Sequence, residues 1–417
     1  EKNSTVFFGL PPNVPPRGVE SSQDTKICFL SSARYSPFVV TMIRIFHTAD
    51  LHLGLKFTRG GYSPSLQDRL VAQRLVTLRG MVDLANERSC EVFVMAGDLF
   101  DTPRVTKGIV REAAETLARF DGVVIVLPGN HDYIQEEDPL WPSFVDALGE
   151  RHHLLQRDTP CDLRDQGVPL VIFPAVCGSR HSKVNAVGWV PGALARLNLP
   201  SDIRRVGVGH GSLEGLSPDF RGDYFPMTRK ELESSGMDVW LLGHTHVRHP
   251  DRECFEGEKI LFPATPEPDG FDCRHGGYAW ILEVAEDGAV SGESVTTGNF
   301  RFRTIVRGLN GESDLDALKA EVGEFDSERD LVKLVLSGRL SDELHESRGE
   351  WLETMRERVL YLEDDLSGLI KEIRPADIER EYTAGSFPYR LLTALSGDSG
   401  DPEALQMAWD LVKEAKV

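Results

Sequence analysis

Five short motifs, each at the end of an apolar run, constrain this chain more than any other feature. They are Asp50-Leu51-His52, Gly97-Asp98, Gly129-Asn130-His131-Asp132, His210-Gly211 and Gly243-His244-Thr245-His246. The runs before them (43–48, 92–96, 123–127, 206–209 and 239–242) are short, apolar and rich in β-branched residues. Such runs predict buried strands. Each motif then falls at the carboxyl end of a strand, the edge on which open α/β sheets assemble their sites. Gly97, Gly129, Gly211 and Gly243 predict sharp backbone turns there.

The candidate metal ligands are Asp50, His52, Asp98, Asn130, His210, His244 and His246. Carboxylate, amide oxygen and imidazole together suit two borderline-hard divalent cations held side by side. Two such cations clamp the attacking and leaving oxygens of a phosphoryl group. Any one motif has a plainer reading. A strand-end Asp or Asn forms turns and caps, and a lone His is usually a hydrogen-bonded bystander. Five motifs in this order are hard to produce by chance. His47, His152, His153, His181, His249, His275 and His345 lack this setting and read as bystanders.

The segments between the motifs predict the rest of the framework. Leu66, Leu70, Leu75, Leu78, Val82 and Ala85 have helical spacing, so 65–87 is read as a helix packed on the sheet. Residues 107–119 read the same way. Segments 168–176 and 259–262 are read as strands of a second sheet, and 277–284 as another of its strands. Within the long insertion 213–231, Arg221, Tyr224 and Phe225 either touch substrate or pack the loop down. Beyond residue 300, a strand (300–306), a helix (314–322), a strand (330–336) and one helix (343–359) are expected. Two amphipathic helices come last, 387–395 and 402–414, split by GDSGD (397–401).

Composition bounds the function. The chain has 417 residues, enough for two or three domains. Its six cysteines form no CxxC pair, which points to a reducing cytoplasm. No apolar run approaches the length of a membrane span, so no membrane is expected as a partner. The net charge of −20 is unexpected for a protein that grips DNA alone. Either a basic stripe hides in an acidic average, or a partner supplies the grip.

The motifs HTADLHLG (47–54), AGDLFD (96–101), PGNHD (128–132), GHGS (209–212), LLGHTH (241–246) and FPATPEPDGFDCRHGGYAWILEV (262–284) resemble the calcineurin-like metallophosphoesterase superfamily, in its SbcD/YhaO-like DNA repair exonuclease branch. The similarity covers about residues 42–285. It implies a four-layer α/β/β/α sandwich over 42–299, a small α+β cap domain over 300–375 and a C-terminal helical segment over 376–417. It assigns Asp50, His52 and His246 to one metal, Asn130, His210 and His244 to a second, and Asp98 to both. His131 binds no metal and acts on the phosphate and leaving group. Asp132 either orients His131 or caps the segment after it. The nuclear relatives carry a His where this chain has Asp101, so that role does not transfer, and Asp101 instead supports a ligand or starts the loop.

The resemblance further implies two Mn²⁺ ions, with Fe²⁺ and Zn²⁺ also compatible with the donors. A water between the metals, its pKa lowered, would hydrolyse DNA phosphodiester bonds in double-strand-break repair. An SbcC-like coiled-coil ATPase and a second copy of the chain are the implied partners, which favours the partner reading of the acidic charge. The C-terminal helices would then offer Leu391, Leu392, Leu395, Leu405, Trp409 and Leu411 to the ATPase, or else close the protein's own core. The alternatives are a general phosphodiesterase acting on small substrates and a non-catalytic scaffold. Residues 1–41, rich in Pro and Ser, read as a disordered arm or a mis-called start before Met42.

Overall fold

The computed structural model describes residues 42–135, 140–219, 221–397 and 401–415. The expectation for 1–41 lies outside them. Three sheets organise the described chain. The first has seven strands in the order β10 (Cys254–Glu256), β13 (Val290–Thr296), β12 (Tyr278–Val284), β1 (Ile43–Thr48), β2 (Val92–Ala96), β3 (Val123–Leu127) and β4 (His153–Leu154). The second has six, in the order β5 (Cys161–Asp162), β6 (Leu170–Ala175), β7 (Arg204–His210), β8 (Val239–Gly243), β11 (Ile260–Pro263) and β9 (Arg248–His249). Parallel pairing joins β1 to β2 and β2 to β3, and likewise β6 to β7 and β7 to β8. All five motif strands therefore end on the same side of the molecule.

Alternation of side chains sorts the apolar residues into layers. Ile43, Ile45, Val92, Val94 and Ile125 face Ile172, Val206, Val208 and Leu241 between the two sheets. Phe46, Phe93, Met95 and Val126 face outward onto helices α1 (Pro64–Glu87), α2 (Lys107–Leu117) and α3 (Leu140–Leu148). Phe173, Trp240 and Leu242 face the other way, onto α4 (Val190–Leu197) and α5 (Arg229–Ser234). The result is the α/β/β/α order. The chain corrects one expectation: 277–284 is no member of the second sheet but pairs antiparallel with β1 in the first. Strand alternation fixes which faces are buried and says nothing of which neighbour is chosen.

His47 lies within this apolar interior, fully buried on β1. Burial pushes its pKa down to about 3, only partly opposed by the Leu242 carbonyl. The unfolded chain therefore takes up this proton first, near pH 6.5, and stability falls as the pH drops from there towards 3. A His47→Leu variant should lack this contribution. Urea unfolding at pH 7.5 and pH 5 should show wild type losing about 2 kcal/mol relative to the variant, at about 1.4 kcal/mol per pH unit. An equal loss in both proteins would refute the assignment.

The third sheet is parallel throughout, β14 (Arg301–Gly308), β15 (Asp330–Leu340) and β16 (Tyr361–Lys371). Helix α6 (Glu312–Gly323) links its first two strands. The single helix expected over 343–359 is instead two, α7 (Asp342–Glu346) and α8 (Arg348–Arg356). Ser347 stands at the break, its hydroxyl donating back to the Glu343 carbonyl at 2.8 Å. That bond competes with helix propagation, and Gly349 adds flexibility just after it.

The chain ends in α9 (Pro375–Glu381), α10 (Phe387–Leu395) and α11 (Pro402–Glu414). Leu392 and Leu405 are buried here with Ile378 and Tyr382, and Leu395 and Trp409 pack against them. Leu411 is exposed, as are Phe387 and Met407. Of the six apolar residues singled out in these helices, four thus contribute to a local core and Leu411 does not. No described helix is long and apolar enough to cross a membrane.

Candidate metal centre

Where the two sheets' carboxyl edges meet, the backbone is strained. Asp50, His52, Asp98, His244 and His246 all have left-handed φ, between 48° and 102°. Residues with a Cβ avoid that region at a cost of about 1–3 kcal/mol each. A ladder of hydrogen bonds holds them in it. Asp50 N donates to the Gly97 carbonyl at 3.0 Å and His52 N to that of Asp98 at 2.9 Å. The His244 N–H is shared by both Asp50 carboxylate oxygens at 3.0 Å, and the His131 N–H donates to Asp98 Oδ1 at 2.9 Å.

The donors converge in two overlapping groups. Asp50, His52 and His246 each bring a donor atom within 4.8 Å of the others, and so do Asp50, Asp98 and His210. His52 Nε2 stands 3.2 Å from His246 Nε2. Asn130 Oδ1 stands 3.0 Å from both His210 Nε2 and His244 Nδ1. Asp98 Oδ2 lies between the groups, 3.2 Å from His210 Nε2 and 3.8 Å from His52 Nε2. Neighbouring donors around one small divalent cation stand about 3 Å apart, given metal–ligand bonds near 2.1 Å. The residues present fit two such cations, and seven of seven expected ligands reach the edge. A third grouping, His52, Asp101 and His131, also lies within 4.8 Å.

The far nitrogens of these imidazoles meet different partners. His210 Nδ1 donates to the Ala96 carbonyl at 2.9 Å, which puts the Nε2 lone pair towards Asn130 and Asp98. His52 Nδ1 is buried, has no hydrogen-bond partner among the described residues, and faces Asp101 Oδ1 at 3.7 Å. His246 Nδ1 faces Asp269 Oδ2 at 3.9 Å. His131 Nδ1 is 3.0 Å from the Asp101 carbonyl.

Burial sets the local charges. It pushes Asp50 above the usual carboxylate range and His52 well below the usual imidazole one. Burial with His210 nearby lowers His244 to about 3. Burial also opposes charge on Asp98, but the rings of His210, His52 and His131 hold it below the ordinary range. His210 shows the converse: burial disfavours its charge, yet the Asp98 carboxylate raises it to about 9. A proton on Nε2 and a cation beside it answer the same negative field.

The family of calcineurin-like phosphoesterases matches residues 43–248. The chain carries a calcineurin-like phosphoesterase domain. Metallophosphoesterase YhaO of Bacillus subtilis is 29% identical over 50% of this chain and 50% of its own length. A DNA double-strand break repair protein Mre11 of Methanopyrus kandleri is 28% identical over 54% of this chain and 49% of its own. A protein of the same name from Archaeoglobus fulgidus is 23% identical over 88% and 83%. The chain thus spans about half the length of the first two.

Within this domain the glycines do different work. Only Gly97, of the four flanking the motifs, has left-handed φ, at 94°. The others provide space: a Cβ on Gly129 would stand 2.2 Å from Asp98 Oδ1. A Cβ on Gly97 would meet His210 Nδ1 at 1.9 Å. Gly97→Ala should therefore displace His210 and weaken cation binding by about tenfold or more, by analogy with lost partners of metal ligands. Calorimetric titration with Mn²⁺ measures this, and an unchanged affinity would remove His210 from the site.

Asp132 takes a different position from either expected one. Its carboxylate accepts from Gly129 N at 2.6 Å and Phe100 N at 3.0 Å, tying the loop after β2 to the loop after β3. Burial, then Asp98, raises it to about 7. In the insertion, Phe225 is buried and packs the loop, while the Tyr224 ring lies 4.9 Å from that of His244. Arg221 is exposed. Sequence reasoning missed Asp269, His275, whose Nε2 stands 3.0 Å from the His246 carbonyl, and the buried pair Arg74 and Glu267. Three of these four lie within 262–284, a stretch that the family resemblance marked as a whole without assigning a role to any residue in it.

Proposed function

We propose that the chain is a DNA nuclease hydrolysing phosphodiester bonds with two divalent cations, Mn²⁺ first among them, in double-strand-break repair. The observation that carries the reading is the convergence of Asp50, His52, Asp98, Asn130, His210, His244 and His246 from five strand ends, with Asp98 reaching both His210 and His52. Relatives named for DNA double-strand break repair support the substrate class. Asp50, His52 and His246 would hold one cation, Asn130, His210 and His244 the other, and Asp98 both. Bound there, such a pair supplies a water of lowered pKa and neutralises the phosphate's charge.

The chain's own residues aim that chemistry. Asp101 and Asp269 orient His52 and His246 from behind. His131, fixed by Asp98 through its N–H, presents its ring over the same edge, where as an imidazolium it can protonate the departing sugar oxygen. Tyr224 offers an aromatic face beside His244, against which a sugar or base can pack. The third sheet would serve as the cap over 300–375. The exposed Phe387, Met407 and Leu411 suit an SbcC-like ATPase partner. Homodimerisation rests on the resemblance alone. The free thiols of Cys90, Cys161, Cys177 and Cys273 fit a cytoplasmic home.

Mn²⁺-dependent degradation of end-labelled double-stranded DNA tests the proposal, run beside His131→Ala. Cleavage by wild type and not by the variant is the expected result. Hydrolysis of a small phosphodiester with no cleavage of DNA, even with the ATPase added, would replace the nuclease by a small-substrate phosphodiesterase. Binding of the ATPase with no hydrolysis of either would leave a scaffold.

A further inference from the structure

Directly behind the metal edge lies a buried polar group that the chemistry above does not use. Arg74, on α1, is fully buried. Its guanidinium donates to the carbonyl of Leu51, the residue between Asp50 and His52. It also donates to the Glu267 carbonyl at 3.4 Å and stands 3.7 Å from Asp269 Oδ2. The Thr265 hydroxyl lies 3.0 Å from the Asp50 carbonyl and 2.9 Å from that of Glu267. The backbone of the first ligand loop is thus held to the segment after β11 through two consecutive carbonyls.

The Glu267 side chain points the other way. Its carboxylate, 1% exposed, accepts the Thr77 hydroxyl at 2.6 Å. It also accepts Asn299 N at 2.9 and 3.1 Å and Phe300 N at 2.9 Å. Residues 299 and 300 lead directly into β14. Phe300 and Phe302 are buried with Phe57, Tyr62, Leu66, Leu70 and Leu331, where α1 meets the third sheet. The Tyr361 hydroxyl, from β16, donates to the Gly60 carbonyl across the same joint.

Apolar side chains would hold these parts together without the desolvation cost of two buried charges. What the polar group adds is direction: its outer bonds end on particular backbone atoms, the Leu51 carbonyl on the ligand loop at one end and the Asn299 and Phe300 N–H groups leading into the third sheet's first strand at the other. We propose that Glu267 and Arg74 are positioning residues that link the seating of the third sheet to the ligand loop at Asp50–Leu51–His52. A load on that sheet, such as bound substrate or a partner, then alters the cation site through the Arg74 fork. The proposal rests on the metal reading given above.

Hydrogen–deuterium exchange tests it. Glu267→Gln should raise exchange about tenfold or more at 299–302 and, with it, at 51–53, while β2 and β3 stay protected. Arg74→Lys keeps the charge but loses the fork, and should loosen the same two segments. Calorimetric Mn²⁺ affinity should fall about tenfold in both variants. In wild type, Mn²⁺ should in return slow exchange at 299–302, because coupling is reciprocal, and Arg74→Lys should abolish that effect. Loosening confined to 299–302, with 51–53 unchanged, overturns the link, as does general loosening of the whole chain. A wild-type chain that binds no Mn²⁺ would sink the metal reading alone, since exchange in the variants decides the link without a cation.

Discussion

Asp98→Ala is expected to abolish cation binding at both groups at once. Asp98 reaches both, with Oδ2 near His210 Nε2 and His52 Nε2 and Oδ1 accepting the His131 N–H. Removing it leaves the buried imidazoles of His210 and His52 facing each other with no charge between them. Breaking a buried, hydrogen-bonded charge interaction costs about 3–5 kcal/mol, so affinity should fall by about two to four orders of magnitude. Calorimetric stoichiometry should drop from two cations per chain to none in the micromolar range. Asp98→Asn is the control for shape, because it can still accept the His131 N–H while losing the charge, and it should lose the cations with the fold intact. One cation retained at full occupancy with normal activity in Asp98→Ala would show that the two groups do not share this residue.

Much of this edge could be read from the chain alone, for a physical reason. β1, β2 and β3 were legible to the residue because each is a short run rich in β-branched residues, followed within two residues by a glycine or an aspartate. Helix α1 was legible over 65–87 because its apolar stripe, from Leu66 to Ala85, keeps the helical period. Pairing was not legible. The β12 sequence carries no mark that it lies beside β1 rather than in the second sheet, since both faces of either neighbour are apolar. The break at Ser347 was hidden for a similar reason: its cost comes from one hydroxyl bond, not from the apolar period.

The site divides along the same line. The seven donors stood out because five such motifs follow five apolar runs in order, although each alone has a plainer reading. Their left-handed backbones did not, because a φ near 50° at Asp50, His52, Asp98 and His246 is imposed by the ladder between neighbouring loops and has no sequence signature. Arg74 looked like an ordinary polar position on an amphipathic helix. Its burial arises from where α1 crosses the ligand loop, which is a tertiary fact. Strain and support are two sides of one arrangement: the ladder that forces the left-handed residues also aims their side chains at a common point before any cation arrives.

His131→Ala is expected to keep both cations and lose nearly all hydrolysis. The ring meets that of His52 edge-on at 4.8 Å, with Nδ1 turned back to the Asp101 carbonyl, and only its N–H is bonded to a ligand, Asp98. Alanine keeps that N–H, so the Asp98 carboxylate should stay in place. A positioned general acid typically contributes 10²–10⁴-fold, so kcat should fall by about that much while Mn²⁺ affinity changes little. A DNA substrate whose leaving oxygen needs no proton should recover most of the rate, and one with the ordinary leaving group should not. The competing geometry is the grouping of His131 with His52 and Asp101. If that grouping held a cation, His131→Ala would lower the bound metal measured by elemental analysis, and the activated leaving group would rescue nothing. The two measurements together therefore distinguish a proton donor from a metal ligand at a residue that sits one bond away from being either.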